Sequence, residues 1–484
     1  MSRVNIKCKS GNEYIFDNTL GVVIPGSATI NYILDNIDEP KEKVIKELVS
    51  KFGKSEEEAN NEYSYLEDLN NNGYFNQLHE INPTSTEIYS NVLKNSPGSQ
   101  LILIVTEECN LRCKYCIYSD CYPDTKSYSN KKMSFEVAKQ AIDRYFELYY
   151  EKCRHGLRDI PKISFYGGEP FLELELIKKI VEYCNEKYEN IQYLVTTNGT
   201  IMSEEIANFL VENNFNVTFS LDGNRYEHDR NRVFANGSPS FDTVTQSSAI
   251  LYESKLRYEK GNEIIPMSFA CCFDKYTDMQ NVINYFDSLK EKFGDFQLII
   301  NEVDKYDTSY YKDLKNDEGE EVFKNSIKRL KKIYIDGEIE GIENTLALKS
   351  LFKGLTYYKY RFQGYISPIG NACVVGDKIA VDPEGVFFIC EKACQQYPIG
   401  DIEKGINIEK CVKLTNDFIE IRSKYCKECN ISRLCDACYV HFMKGEELKY
   451  NEKYCNDKKE QTKRALELLY ESLDCNENAF NLGS

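Results

Sequence analysis

Six apolar runs, each followed by a stretch with helical periodicity, constrain this chain more than any other feature. They are LILIV from Leu101, KISFY from Lys162, IQYLV from Ile191, NVTFSL from Asn216, IIPMSFACCF from Ile264 and FQLII from Phe296. A run that is apolar at successive positions suits a strand buried on both faces, as happens when parallel strands are joined by crossover helices. The pattern predicts an α/β fold with a partial (β/α)6 barrel over residues 99–302. In such barrels chemistry gathers on the loops that follow the C-terminal ends of the strands. Here those loops carry EECNLRCKYC, GGEP, TTNG and SLDG, after the first four runs in order.

Cys109, Cys113 and Cys116 are separated by three and two residues, so one loop can turn all three thiolates onto an iron-sulfur cubane and leave one iron open. A structural zinc site wants four ligands in two close pairs, and a simple electron carrier fills every iron position. A second cysteine-rich region follows. Cys373 and Cys390 precede a compact group of Cys426, Cys429, Cys435 and Cys438, and Cys455 closes it. CKEC and CDAC alone are also good zinc spacing, whereas a zinc ribbon has no use for Cys373 and Cys390. The chain has 19 cysteines. Their tight clustering favours metal ligation over disulfides and suits a reducing compartment. No apolar stretch of about eighteen residues occurs, and MSRVNIKCKSGNEYIF has no signal-peptide pattern, so a cytoplasmic protein without a membrane span is expected.

The remaining segments frame this middle. Residues 1–95 read as two extended segments, NIKCKS and EYIFDN, a turn at GVVIPGS, then helices that include PKEKVIKELVSKFG, with Val44, Ile45, Leu48 and Val49 on one face. This winged-helix-like order could serve DNA, but the module has 15 Asp and Glu against 9 Lys and Arg, and the whole chain carries a net charge of −17. Such charge repels a phosphate backbone, so a peptide is the better partner and no nucleic acid is expected. An exposed hairpin edge could take up an extended peptide as an added strand. LKNSPGSQ marks the boundary before the barrel; 303–365 reads as a helical bridge with no visible chemistry, 366–460 as a cysteine-rich domain and 461–484 as a C-terminal tail.

The three-cysteine motif, with Tyr115 before its last cysteine, resembles the signature of radical S-adenosylmethionine enzymes. The resemblance implies that S-adenosyl-L-methionine chelates the open iron of a [4Fe-4S] cluster and is cleaved to a 5′-deoxyadenosyl radical. It further implies cofactor contacts from Gly167, Gly168 and Glu169 in GGEP, Asn198 in TTNG, Ser220 in SLDG and Arg232 in HDRNR. Read without the resemblance, these are a turn, two helix caps and a surface ion pair. The C-terminal region looks like a SPASM domain, although CDAC has two residues between its cysteines where that family usually has three. By resemblance Cys426, Cys429, Cys435 and Cys455 hold one auxiliary [4Fe-4S] cluster and Cys373, Cys390 and Cys438 a second, making three clusters in all. Cys394 could complete the three-ligand set. The other cysteines, at 8, 121, 153, 184, 271, 272, 411 and 475, read as fillers or surface thiols.

The N-terminal module resembles the leader-peptide recognition modules of enzymes that modify ribosomally made peptides. CIYSDCYPDTKSYSNKKMSFEVAKQAID, YGGEPFLELELIKKIVEY and the CEK at Cys390 resemble maturases that form thioether crosslinks of the sactipeptide and ranthipeptide kind. The expected activity is a radical oxidoreductase that joins Cys sulfur to carbon in a Cys-containing precursor peptide, with flavodoxin or ferredoxin as electron donor. Carbon-carbon crosslinking and formylglycine formation share the SPASM architecture and stand as alternatives. A DNA-binding iron-sulfur regulator is disfavoured by the acidic N-terminal module.

Overall fold

The computed structural model describes residues 2–76, 82–98, 100–122, 127–258, 267–312, 314, 317–360, 367–393 and 395–481. The chain begins with β1 (Arg3–Lys7), β2 (Glu13–Asp17) and β3 (Val22–Gly26), an antiparallel sheet in the order β1-β2-β3. The turn expected at GVVIPGS is therefore strand β3. Its Pro25 lies opposite Tyr14 on an edge strand, where a missing N–H costs no ladder bond on the open side. Helices α1 (Ala28–Asp35), α2 (Lys41–Phe52) and α3 (Glu56–Asn71) follow. Ser27 caps α1, and Ser55 with Glu58 forms a reciprocal capping box on α3, which satisfies N–H groups that the first turn leaves unpaired. Val44, Ile45 and Leu48 are buried in this module's own core, while Val49, expected on the same face, sits at its rim and is 39% exposed.

Helix α4 (Thr86–Asn95) leads into β4 (Gln100–Thr106), α5 (Phe135–Arg154), β5 (Lys162–Gly167), α6 (Leu174–Lys187), β6 (Gln192–Thr197), α7 (Glu204–Glu212) and β7 (Asn216–Ser220). Then come α8 (Arg225–Asn231), α9 (Phe241–Tyr258), β8 (Ser268–Phe273), α10 (Met279–Phe293) and β9 (Gln297–Glu302). Strands β4 to β9 are parallel and neighbours in sequence order, as the apolar runs predict. Leu101, Leu103, Ile104 and Val105 are fully buried in the main core, on a strand paired along both edges, by β10 and β5.

Helices α11 (Asp317–Glu340) and α12 (Leu346–Tyr360) form the bridge. The cysteine-rich segment then does something its composition does not show: it extends the sheet. Strand β10 (Lys378–Val381) pairs in parallel with β4, and β11 (Val386–Phe388), β12 (Gly400–Asp401) and β13 (Gly405–Ile406) continue antiparallel, giving ten strands. After α13 (Ile408–Tyr425) and the hairpin of β14 (Met443–Lys444) and β15 (Glu447–Leu448), α14 runs from Glu452 to Cys475, straight through the boundary expected at 460. Its Leu466 packs with Val4, Ile6 and Phe16 of the first sheet and with Ile431 and Leu434, so that N-terminal and C-terminal segments share a small core.

The buried Lys152 ties the joint between these parts. Its ammonium donates to Ser96 Oγ at 2.9 Å and to the Gly98 carbonyl at 2.7 Å, and it pairs with Asp377. A buried cation needs such partners, and here they come from the boundary segment and the cysteine-rich segment together.

Candidate functional site

The loop after β4 carries Cys109, Cys113 and Cys116 and is clamped along its length by the chain that leaves α8. Arg112 N donates to the Val233 carbonyl at 2.8 Å, Lys114 N to that of Asn231 at 3.0 Å, and Ala235 N to that of Asn110 at 3.0 Å. Each cysteine sulfur also receives an N–H. Leu111 N and Asn198 Nδ2 approach Cys109 Sγ at 3.4 and 3.7 Å, Arg232 Nη1 approaches Cys113 Sγ at 3.8 Å, and Tyr118 N approaches Cys116 Sγ at 3.5 Å. Donors aimed at sulfur stabilise thiolate charge, which is what ligands of a cationic cluster carry. The donor set therefore fits three cluster ligands. Burial pushes the bare thiols of Cys109 and Cys113 up to about 11 and about 12. Among the described residues no three His, Cys, Asp or Glu side chains converge on a single-ion site.

The two glycines of GGEP are dictated by the same loop. Gly167 has φ +143°, and a Cβ there would lie 2.1 Å from the Thr106 carbonyl oxygen; on Gly168 it would lie 2.0 Å from that of Glu108. Gly168 N and Glu169 N donate to those two oxygens, each at 2.9 Å. The close approach that these glycines permit is thus made by the cysteine loop's own backbone. The Glu169 carboxylate, fully buried, accepts from Thr197 Oγ1 at 2.7 Å, Asn198 N at 2.7 Å and Phe171 N at 3.1 Å. Burial raises its pKa to about 7 against the pull of those donors. It ties the end of β5 to the end of β6 and keeps one acceptor position in reserve.

Asn198 joins the cysteine loop as well: its Nδ2 donates to Asn110 Oδ1 at 2.8 Å, while its Oδ1 accepts from Thr200 N at 2.9 Å. Ser220 ends β7 and is 9% exposed. Arg232 is buried beside Tyr115, with its guanidinium 5.5 Å from the ring centre. Between them stands Asp222, which no sequence reasoning singled out. Its carboxylate accepts from Arg232 Nε at 3.1 Å, from the Tyr115 hydroxyl and from Cys272 N at 3.0 Å. It lies two residues after Ser220 in SLDG, so the motif itself was the available signal. The bridge contributes too: Tyr310 meets the Tyr115 ring edge-on at 6.3 Å, and its hydroxyl donates to Asp274 at 2.6 Å. The segment expected to show no chemistry thus walls the site.

The later cysteines fall into two neighbourhoods. Cys426 caps α13, and its thiol is pushed up to about 12 by burial, with Cys429, Cys435 and Cys455 close enough to add to the shift. Cys390 follows β11 and lies near Cys438, and Cys438 lies near Cys373. Cys394 lies outside the described residues. The second neighbourhood opens towards the first cysteine loop. Glu391, next to Cys390, and Cys116 both lie near the buried hydroxyls of Tyr118 and Tyr166, whose pKa values burial raises.

The fold is thus an α/β protein with a three-cysteine loop after the first strand of its parallel run and a sheet extended by a segment rich in further cysteines. Residues 103–267 match the Radical SAM superfamily. The match implies S-adenosylmethionine and a [4Fe-4S] cluster. An uncharacterised protein of Methanocaldococcus jannaschii, MJ0907, is 43% identical over 142 residues, 29% of this chain and 44% of its own length. A cysteine-type anaerobic sulfatase-maturating enzyme of Clostridium novyi is 27% identical over 70% of this chain and 86% of its own. The radical SAM cyclopropyl synthase TigE of Paramaledivibacter caminithermalis is 24% identical over 78% of each. The solved structure of native anSMEcpe with bound AdoMet and Cp18Cys peptide superposes with a TM-score of 0.54 at 22% identity, covering 78% of this chain and 97% of that one. It shares the fold, and this chain is the longer of the two. Among the described residues no helix is long and apolar enough to cross a membrane.

Proposed function

We propose that this radical SAM maturase-type enzyme joins a cysteine sulfur to a carbon within a ribosomally made precursor peptide. The observation that supports the reading is that Glu391, next to Cys390 in sequence, and Cys116 of the first cysteine loop both lie near Tyr118 and Tyr166. Cys109, Cys113 and Cys116 would hold the first cluster, with Tyr115, Gly167, Gly168, Glu169, Asn198, Ser220 and Arg232 around the cofactor. Cys426, Cys429, Cys435 and Cys455 would hold one auxiliary cluster and Cys373, Cys390 and Cys438 another. Bound together, these groups supply a radical that removes a hydrogen atom and an acceptor for one electron. The protein's own part is placement: Asp222 and Tyr115 fix Arg232, and Glu169 with its glycines fixes the cysteine loop.

The bookkeeping of the reaction is simple. The acceptor carbon gives up one hydrogen atom, the thiol gives up its proton, one electron leaves, and a carbon-sulfur bond forms. The leader of the peptide would lie along the free edge of β3, which has a strand partner on one side only. A flavodoxin or ferredoxin would supply the starting electron.

A second reading, formation of formylglycine from a protein cysteine or serine, has support from relatives that are cysteine-type or serine-type anaerobic sulfatase-maturating enzymes. Mass spectrometry of a short Cys-rich peptide encoded beside the gene and co-expressed with the enzyme separates the two. Thioether formation removes two hydrogens per bond, keeps the sulfur and blocks alkylation of that cysteine. Loss of sulfur and gain of an aldehyde would replace this proposal with the second reading.

A further inference from the structure

The start of the bridge and the hairpin before α14 line an open cavity of about 730 Å³ whose charged lining is Lys305, Lys312, Lys444, Lys453, Asp120 and Asp307. One wall belongs to the first cysteine loop: Asp120 lies four residues past Cys116, and Ser309 N and Thr308 Oγ1 each donate to the Cys121 carbonyl at 3.0 Å. The opposite wall belongs to the later cysteines, since Lys444 follows Cys438 and Asn451 caps the helix that carries Cys455. The cavity is therefore lined by segments that adjoin both sets of cysteines in sequence.

Its charge is out of keeping with the chain. Four lysines line it beside Asp120 and Asp307, in a protein of net charge −17, and among the described residues the acidic groups nearby engage only two of the four. Lys444 is neutralised by Asp307 at 2.8 Å, and Lys305 is shared between Asp457 at 3.7 Å and Glu302 at 4.0 Å. Lys312 and Lys453, both exposed, make no ion pair among the described residues. The Lys453 ammonium lies 5.9 Å from the centre of the Tyr306 ring, which also has Lys305 at 5.5 Å. Crowded ammonium groups repel one another unless an anion joins them, and the volume suits a few residues rather than a single ion.

We propose that this cavity binds an acidic stretch of the peptide substrate, carboxylate side chains meeting Lys312 and Lys453. The proposal rests on the peptide-modifying reading. A concave site lined by segments that adjoin both cysteine sets favours a flexible peptide over a folded acidic carrier. Lys312 and Lys453 would then select substrates by charge in a protein whose overall field repels acidic chains.

The test uses the full chain with its clusters reconstituted, and end-labelled dodecapeptides of one Gly/Ser background carrying glutamates, lysines or neither, read by fluorescence anisotropy. The Glu-rich peptide should bind best, weaken as salt rises to about 0.3 M, and lose about tenfold in affinity in the Lys312→Glu/Lys453→Glu double variant. Lys332→Glu, a charge reversal on the exposed face of α11, should leave its binding unchanged. Equal affinity for the three peptides, or Glu-rich binding that the double variant does not weaken, overturns the proposal. So does a double variant that binds peptide normally but slows cofactor cleavage with reduced flavodoxin and not with dithionite, which would assign the lysines to a carrier. Absence of any cofactor cleavage by wild-type enzyme would instead count against the function itself.

Discussion

The side-chain amide of Asn18 donates to the carbonyl oxygen of Cys429 at 3.1 Å, fastening the first sheet to a cysteine loop 411 residues further along. The same amide donates to Ser432 Oγ at 2.9 Å, and its oxygen accepts from Arg433 N at 3.0 Å. Asn18 is fully buried. Asn18→Ala leaves those groups without partners and should cost about 1–3 kcal/mol. Urea unfolding of the full chain reads the loss, and hydrogen exchange should quicken in residues 2–26 and 429–435 but not in β4 to β9. An unchanged midpoint with unchanged exchange would show that the contact carries no weight.

Asp222 and Arg232 form a buried pair, the side chains 2% and 10% exposed. Removing one charge strands the other, so Asp222→Asn should destabilise by about 3–5 kcal/mol. It should also loosen Tyr115 and the cysteine loop, so that the purified variant takes up less iron on reconstitution. A variant with wild-type melting temperature and iron content would contradict the positioning role given to Asp222.

His228 is buried and neutral. Its Nδ1 accepts from Asp222 N at 3.3 Å, which leaves the proton on Nε2, directed at Ser240 Oγ at 3.0 Å. Burial, with the nearby Arg232 charge, lowers its pKa from 6.5 to about 3. Between those values the unfolded chain binds a proton that the folded chain refuses. The stabilisation is complete above pH 6.5 and is lost as pH falls towards 3, by up to about 1.4 kcal/mol per pH unit. Urea midpoints measured at descending pH should fall more steeply for wild type than for His228→Gln, and parallel curves would refute the assignment.

What could be read from the sequence divides along physical lines. The six parallel strands were legible because each carries an apolar run; β4 is buried at every position from Leu101 to Thr106, whereas β9, at the sheet edge, alternates and leaves Ile299 exposed. Strand β3 was not, since Gly21, Pro25 and Gly26 are turn formers that an edge strand tolerates. Strands β10 to β13 have two to four residues each, too short for periodicity to register. Cysteine spacing pointed to the loops now seen around Cys109 and Cys426. It could not show Asp222 or Tyr310, whose roles arise from contacts between segments far apart in the chain. Val49 shows the limit of a helical wheel, which gives a direction but not where the neighbouring surface ends.

The first cysteine loop and the later cysteines occupy separate segments, and this makes Cys113 the sharpest test of the proposed cluster. Its sulfur faces Arg232 Nη1 at 3.8 Å and is buried, so Cys113→Ala removes a ligand and leaves the guanidinium without it. Two thiolates cannot hold a cubane with an open iron in place. The variant, reconstituted anaerobically and reduced with dithionite, should release no 5′-deoxyadenosine. Iron bound at the later cysteines should stay, so total iron should fall to about two thirds if all three clusters assemble. Cys411→Ala is the control: this thiol is fully buried on α13, and the cluster proposal gives it no ligand role. It should lose stability while keeping wild-type iron and cofactor cleavage. Deoxyadenosine release by Cys113→Ala at the wild-type rate would remove this loop from the reaction.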